Sequence, residues 1–142
     1  MSACPADESH PPFPPVRVVL LSDGIAGHFR QSEGVVAAIE RARPVALTRI
    51  ELPKHTGLVR FLLSLATRLR LPTPLSWHIG KMVPTPGTVD LILSAGGRTL
   101  AANVALARHT SAPNIFSGSP RQFAVSAFSQ VLLSYPAAKQ KG

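Results

Sequence analysis

Twice in this chain a short apolar run ends in glycines and gives way to a helix-forming stretch. This recurrence constrains the fold more than any other feature. Val16-Arg17-Val18-Val19-Leu20-Leu21 is rich in β-branched residues and nearly continuous in apolar character, as suits a strand buried in a parallel sheet. Ser22-Asp23-Gly24-Ile25-Ala26-Gly27-His28 follows as a glycine-punctuated turn. A helix is then expected over roughly 30–41, with Val35, Ala38 and Ile39 on one face and Pro44 beyond its end. Val89 to Ser94 repeats the pattern: it ends in Ala95-Gly96-Gly97, and a helix is expected from about Thr99 to His109.

Between these units, Val45 to Leu52 alternates apolar and polar residues and reads as a second strand. Gly57 to Arg70 reads as a helix, with Leu58, Phe61, Leu62, Leu65 and Leu69 on one face and Arg60, Ser64 and Arg68 opposite. Such a face ordinarily packs onto the sheet. The alternative, given Lys54, Arg60, Arg68 and Arg70 around it, is an anionic membrane surface. Leu71 to Thr88 holds Pro72, Pro74, Pro84 and Pro86 and reads as an irregular loop, in which Trp77 and His78 pack locally. Asn114-Ile115-Phe116 and Val131-Leu132-Leu133 are short strands. Strands alternating with helices imply right-handed crossovers, hence an α/β domain with a Rossmann-like parallel sheet of about five strands. Placing the third strand beside the first, away from the second, gives the order 2-1-3-4-5. A chain of 142 residues is a one-domain length. The expected organisation is a disordered Pro-rich tail over 1–15, the α/β domain over 16–136 and a tail over 137–142.

The net charge of +8 favours anionic partners. Nucleic acid is disfavoured, because the basic residues are dispersed and one Trp and one Tyr offer little base stacking. Cys4, the single cysteine, permits no internal disulfide and no cysteine zinc cluster. His10, His55, His78 and His109 lack ligand spacing, so neither a metal nor another cofactor is expected. The first residues lack the apolar core of a secretory signal, and no apolar run reaches the roughly 18 residues of a membrane span. A cytoplasmic protein, peripheral at a membrane if the helical face is used that way, is the expectation.

In a doubly wound sheet, ligands sit at the carboxyl ends of strands where the strand order reverses. With the order above, the loops around 22–28 and 94–98 meet there. Glycines let backbone approach a ligand, and helix N-termini offer unpaired N–H groups to anions. Gly24, Gly27, Gly96 and Gly97 are therefore candidate ligand-binding residues, with Arg98 as an anion partner and Thr99 beside it. His28 is the candidate base, and Asp23 on the same loop would orient it or bind a hydroxyl. Gln31 and Ser32 extend the motif along the first helix turn, and Gly34 allows that helix to pack closely on the sheet. No P-loop, G-x-G-x-x-G or G-x-S-x-G motif is present.

The run from Ser22 to Gly34, Ser-Asp-Gly-Ile-Ala-Gly-His-Phe-Arg-Gln-Ser-Glu-Gly, resembles the opening motif of a known family. That family joins the plant mitochondrial-fission factor named for elongated mitochondria to bacterial glycosyltransferase-like proteins. Asp90 to Thr99 resembles its second motif and Pro113 to Pro120 its next segment, within a similarity running from about Val16 to Pro136. The resemblance implies the N-terminal half of a GT-B fold, two Rossmann-like domains facing across a cleft. On it, this chain is the acceptor-side domain of a glycosyltransferase using a nucleotide sugar. The C-terminal donor-binding domain is expected to be absent from it, and the isolated chain to be inactive. Gly27, His28, Gln31, Gly96, Arg98 and Thr99 carry over as cleft residues. The partners implied are a nucleotide sugar, a glycan or lipid-linked acceptor, and a second-domain chain. The fission-factor branch implies the alternative, a non-catalytic protein- or membrane-interaction module. A nucleotide-sugar epimerase or reductase would need a Tyr-x-x-x-Lys pair on a helix, whereas Tyr135 and Lys139 sit in a Pro-containing terminal stretch.

Overall fold

Val18 and Leu20 project to one side of a single sheet and Val19 and Leu21 to the other, and all four are buried. This two-sided burial is why the first strand reads as an unbroken apolar run. The computed structural model describes residues 13–133. Cys4, His10 and the Pro-rich segment through residue 12 lie outside the described residues, as do Tyr135, Lys139 and the rest of the stretch from residue 134. The elements in chain order are β1 (Val16–Ser22), α1 (Ala26–Glu40), β2 (Val45–Glu51), α2 (Gly57–Arg68), α3 (Leu75–Ile79), β3 (Leu91–Ala95), α4 (Leu100–Thr110), β4 (Asn114–Ser117) and β5 (Gln130–Leu132). The five strands are all parallel, in the order β2-β1-β3-β4-β5. The expected α/β class and strand order are those observed.

Each face of the sheet has its own core. Val18, Leu20 and Leu93 pack with Val36 of α1 on one side. Val19, Leu21 and Ile92 pack with Ala102 and Leu106 of α4 and Ile79 of α3 on the other. Farther along, Leu100 and Val104 of α4 meet Phe116, Phe123 and Phe128. A buried polar chain ties β3, α4, β4 and the β5 approach together. Asn103 Nδ2 donates to Ser94 Oγ (2.8 Å) and to Ile115 O, Asn114 Nδ2 donates to Asn103 Oδ1 (2.7 Å), and Ser129 N donates to Asn114 Oδ1. Satisfied networks of this kind fix one arrangement of the elements they join.

Four details differ from the sequence expectations. First, α1 begins at Ala26 and not near residue 30. Asp23 Oδ1 accepts from Ile25 N (3.1 Å), and Ile25 O accepts from Phe29 N (3.1 Å), so the turn closes directly into helix. Gly27 and His28 therefore lie in the first helical turn. Second, Gly34 is exposed, and a Cβ there would meet nothing within 4 Å. It provides no close packing onto the sheet.

Third, α2 is turned over. Its expected inner face is outside: Leu58, Phe61, Leu62, Leu65 and Leu69 are exposed, Leu58 by 69% and Phe61 by 60%. Its inner face is Leu63, Ser64 and Thr67. The reason is the partner. The helix packs chiefly against α4, where Ala101 and Ala102 leave room for close approach by small residues. Arg108 Nη1 donates to Thr67 O (2.6 Å) across this contact, and Thr67 Oγ1 lies 3.4 Å from His78 Nε2. Fourth, the loop between α2 and β3 contains the short helix α3. Only one side of so short an element can face inward: Ile79 and His78 are buried, whereas Trp77 is 55% exposed and does not pack as expected.

Candidate functional site

Three loops gather at the carboxyl edge of the sheet, after β1, β3 and β4. Asp23 leaves β1 with its carboxylate turned inward, its side chain only 2% exposed. One oxygen closes the turn into α1, as above. The other, Oδ2, accepts from His28 Nδ1 at 2.9 Å. A helical first turn places His28 back over Asp23, so the pairing is built locally. With Nδ1 committed to the carboxylate, Nε2 is the ring nitrogen that can meet a ligand, and the ring is 37% exposed. Carboxylate, imidazole and open nitrogen form the arrangement in which a histidine accepts a proton while its partner fixes tautomer and orientation.

The second glycine loop closes against this pair. Gly96 has a φ of +90°, and a Cβ there would fall closest to His28 Nδ1, 2.7 Å from Cε1 and 2.8 Å from Asp23 Oδ2. Real side chains do not tolerate such approaches, so glycine is required for both its dihedral and its missing Cβ. Thr99 Oγ1 donates to Gly96 O at 2.9 Å and Thr99 N to the same oxygen at 3.1 Å, which pins the turn. Gly97 is approached from the third loop: a Cβ there would lie 3.1 Å from Arg121 Nε. Arg121 itself has a φ of 51°, a left-handed conformation that a non-glycine residue adopts at a cost.

The pair opens into a cleft of about 450 Å³, whose walls include Asp23, His28, Arg60, Gly97, Arg98 and Arg121. A narrower pocket on the α4 side shares Asp23, Arg60, Ser64 and Arg98 and adds Lys54 and His78. Among the described residues, the ion pairs are Arg17–Asp90, His28–Asp23 and Arg49–Glu33. Arg60, Arg98 and Arg121 are thus uncompensated by acids, and three guanidinium groups around one concavity suit a phosphate or another multivalent anion. His78, buried at the end of the narrow pocket, has its pKa held below the usual imidazole value, first by burial, with the Pro74 backbone opposing and His55 assisting. It is a buried residue of the pocket wall.

The structure brings together Asp23, His28, Gly96, Gly97 and Arg98 as the sequence suggested. Gly24 lies on the same loop with a φ of +79°, and a Cβ there would meet Glu51 Oε1 at 3.3 Å, so its role is the turn. Gly27 is exposed in helical backbone, with open space where a Cβ would stand. Gln31 is exposed one turn farther along α1. Ser32 and Thr99 are 1% and 0% exposed and present no surface to a ligand: Ser32 is on the buried side of α1, and Thr99 braces its loop. Sequence reasoning missed Arg60 and Arg121. Arg121 had a signal in Ser117-Gly118-Ser119-Pro120-Arg121, a third glycine-bearing turn at a strand end. Arg60 had none, since its place on the cleft wall depends on the inversion of α2. Among the described residues no acidic, histidine or cysteine group forms a metal-binding cluster. Comparison of the chain with family models, with curated proteins and with solved structures returns no match.

Proposed function

We propose that the cleft binds a ligand carrying both an anionic group and a hydroxyl, and that the Asp23–His28 pair takes the hydroxyl proton. The observation that carries this reading is the seating of that pair against Gly96, beside three arginines with no acidic partner. The anion would lie among Arg98, Arg121 and Arg60, held by charge-assisted hydrogen bonds. His28 Nε2 would then face the hydroxyl, with Asp23 stabilising the imidazolium as it forms.

Within the two-domain architecture that the sequence resembles, this is the acceptor side of a glycosyl transfer. The hydroxyl oxygen attacks the anomeric carbon of a nucleotide sugar, the bond to the nucleotide diphosphate breaks, and the proton passes to His28. A second domain would hold the donor. Glycan and lipid-linked acceptors both present such a hydroxyl nucleophile.

Inorganic pyrophosphate is a suitable probe of the anion site. Titration followed by NMR should move the amide signals of Gly96, Gly97 and Arg98 together with the His28 ring. Arg98→Ala and Arg121→Ala should each weaken binding about tenfold or more. Shifts confined to other parts of the surface, or arginine variants that bind as the parent does, would sink the reading. The outward apolar face of α2 favours a second role for the same chain, as a contact surface.

A further inference from the structure

We propose that the outer face of α2 is a docking surface for an anionic lipid bilayer. Leu58, Phe61, Leu62 and Leu65 form a stripe along a helix of 12 residues, continued by Leu69 at its C-cap, and every one of them is exposed. Ordinary surfaces carry large apolar residues singly; an aligned stripe marks a contact site. The helix does not need this face for its own packing, because Leu63, Ser64 and Thr67 make its contact with the fold. The stripe therefore stands free to lie along a flat apolar boundary about 18 Å in length.

Charge identifies the occupant. Besides Arg60 and Lys54, which line the cleft and its narrow pocket, the sequence from Leu52 to Val89 contains Arg68, Arg70 and Lys81 and not one Asp or Glu. A segment with an apolar face and cations only is the pattern that seats a helix in the headgroup layer of an acidic membrane. A second copy of this chain fits poorly. A two-fold contact through the stripe would bring each cation set against its own duplicate. An acidic partner protein would also satisfy the charge, and it is the occupant that absence of flotation would favour.

Docking would also orient the cleft. Gly57, Arg60 and Phe61 line its wall, and Phe61 belongs to the stripe as well. The mouth beside His28 is therefore at the level of the bilayer surface when α2 lies on it. This placement holds whatever chemistry the cleft performs.

The full chain is mixed with phosphatidylcholine vesicles, with or without roughly one third phosphatidylglycerol, and assayed by flotation. Binding is expected only with the acidic lipid and should fall as salt is raised. Phe61→Ser/Leu62→Ser should lower partitioning about tenfold or more, because two exposed apolar side chains lose their burial in lipid. Its thermal unfolding should match the parent's, since neither side chain is in the core. Arg68→Glu should weaken binding and flatten its salt dependence. Three results would overturn the proposal: absence of flotation with acidic vesicles; flotation unchanged in Phe61→Ser/Leu62→Ser; or lipid-free dimerisation that the same substitutions abolish, which would assign the face to a second copy.

Discussion

Gly96→Ala is the smallest change that tests the construction of the site. The added methyl would intrude between His28 Nδ1 and Asp23 Oδ2, 2.7 Å from His28 Cε1 and 2.8 Å from the carboxylate oxygen. Two costs arise. A non-glycine residue at a φ of +90° is strained by about 1–2 kcal/mol. The methyl also requires the ring to leave Asp23, which forfeits a charge-assisted hydrogen bond of about 1.5–3 kcal/mol. Because the ring is partly exposed, it can swing outward, so some of that bond is regained from water. The expected loss is about 2–4 kcal/mol of the 5–15 kcal/mol typical of a domain. Urea unfolding measures it, and a cycle with His28→Ala separates the two costs. In the His28→Ala background only the backbone strain and the residual contact with Asp23 remain, so the penalty should shrink by about 1 kcal/mol or more. The low-field Nδ1–H signal of His28 should vanish in Gly96→Ala, together with pyrophosphate binding through His28. An equal penalty in both backgrounds, or an unaltered His28 signal, would refute the claim that the second loop is shaped around the pair.

Replacing Asn103 by Leu should cost about 2–4 kcal/mol in urea unfolding, because Ser94 Oγ loses its donor and Asn114 Nδ2 keeps only Ala127 O of its two acceptors in a buried network. His78 has a folded-state pKa below its unfolded value of 6.5, chiefly through burial. Its contribution to stability is therefore full above that value and is eroded as pH falls through it toward the folded pKa. Unfolding free energies across that window should decline toward acid, and His78→Gln should decline less. Asp90, held at about 2 by its hydrogen bonds to Arg17, contributes stability above 3.8 that is lost as pH falls from there through about 2. The pair is exposed, so Asp90→Asn should change stability at neutral pH by about 1 kcal/mol or less.

The parts of this protein that its sequence determined are those whose causes are local. Strand 16–22 announces itself because burial on both faces demands apolar residues from Val18 to Leu21. Its glycine turn and following helix imply a right-handed crossover and a parallel sheet, and placing the third strand beside the first gives the order 2-1-3-4-5 that the structure shows. Asp23 and His28 were legible together because they are five residues apart, within reach of a single turn and helix start. Arg98 was legible through Gly96 and Gly97. What the tertiary structure decided concerns surfaces that meet from far apart in the chain. The period of α2 was plain in Leu58, Phe61, Leu62, Leu65 and Leu69, but periodicity states that a helix has an apolar side and not which side finds a neighbour. The neighbour proved to be α4, whose alanines admit Ser64 and Thr67, and so the leucines face out and Arg60 lies along the cleft. The same long-range assembly brought Arg121 over Gly97 and made Gly96 the floor beneath an imidazole. Local patterns encode conformation through the chain's own sterics and burial; who faces whom is set by packing between distant segments, which no window along the sequence contains.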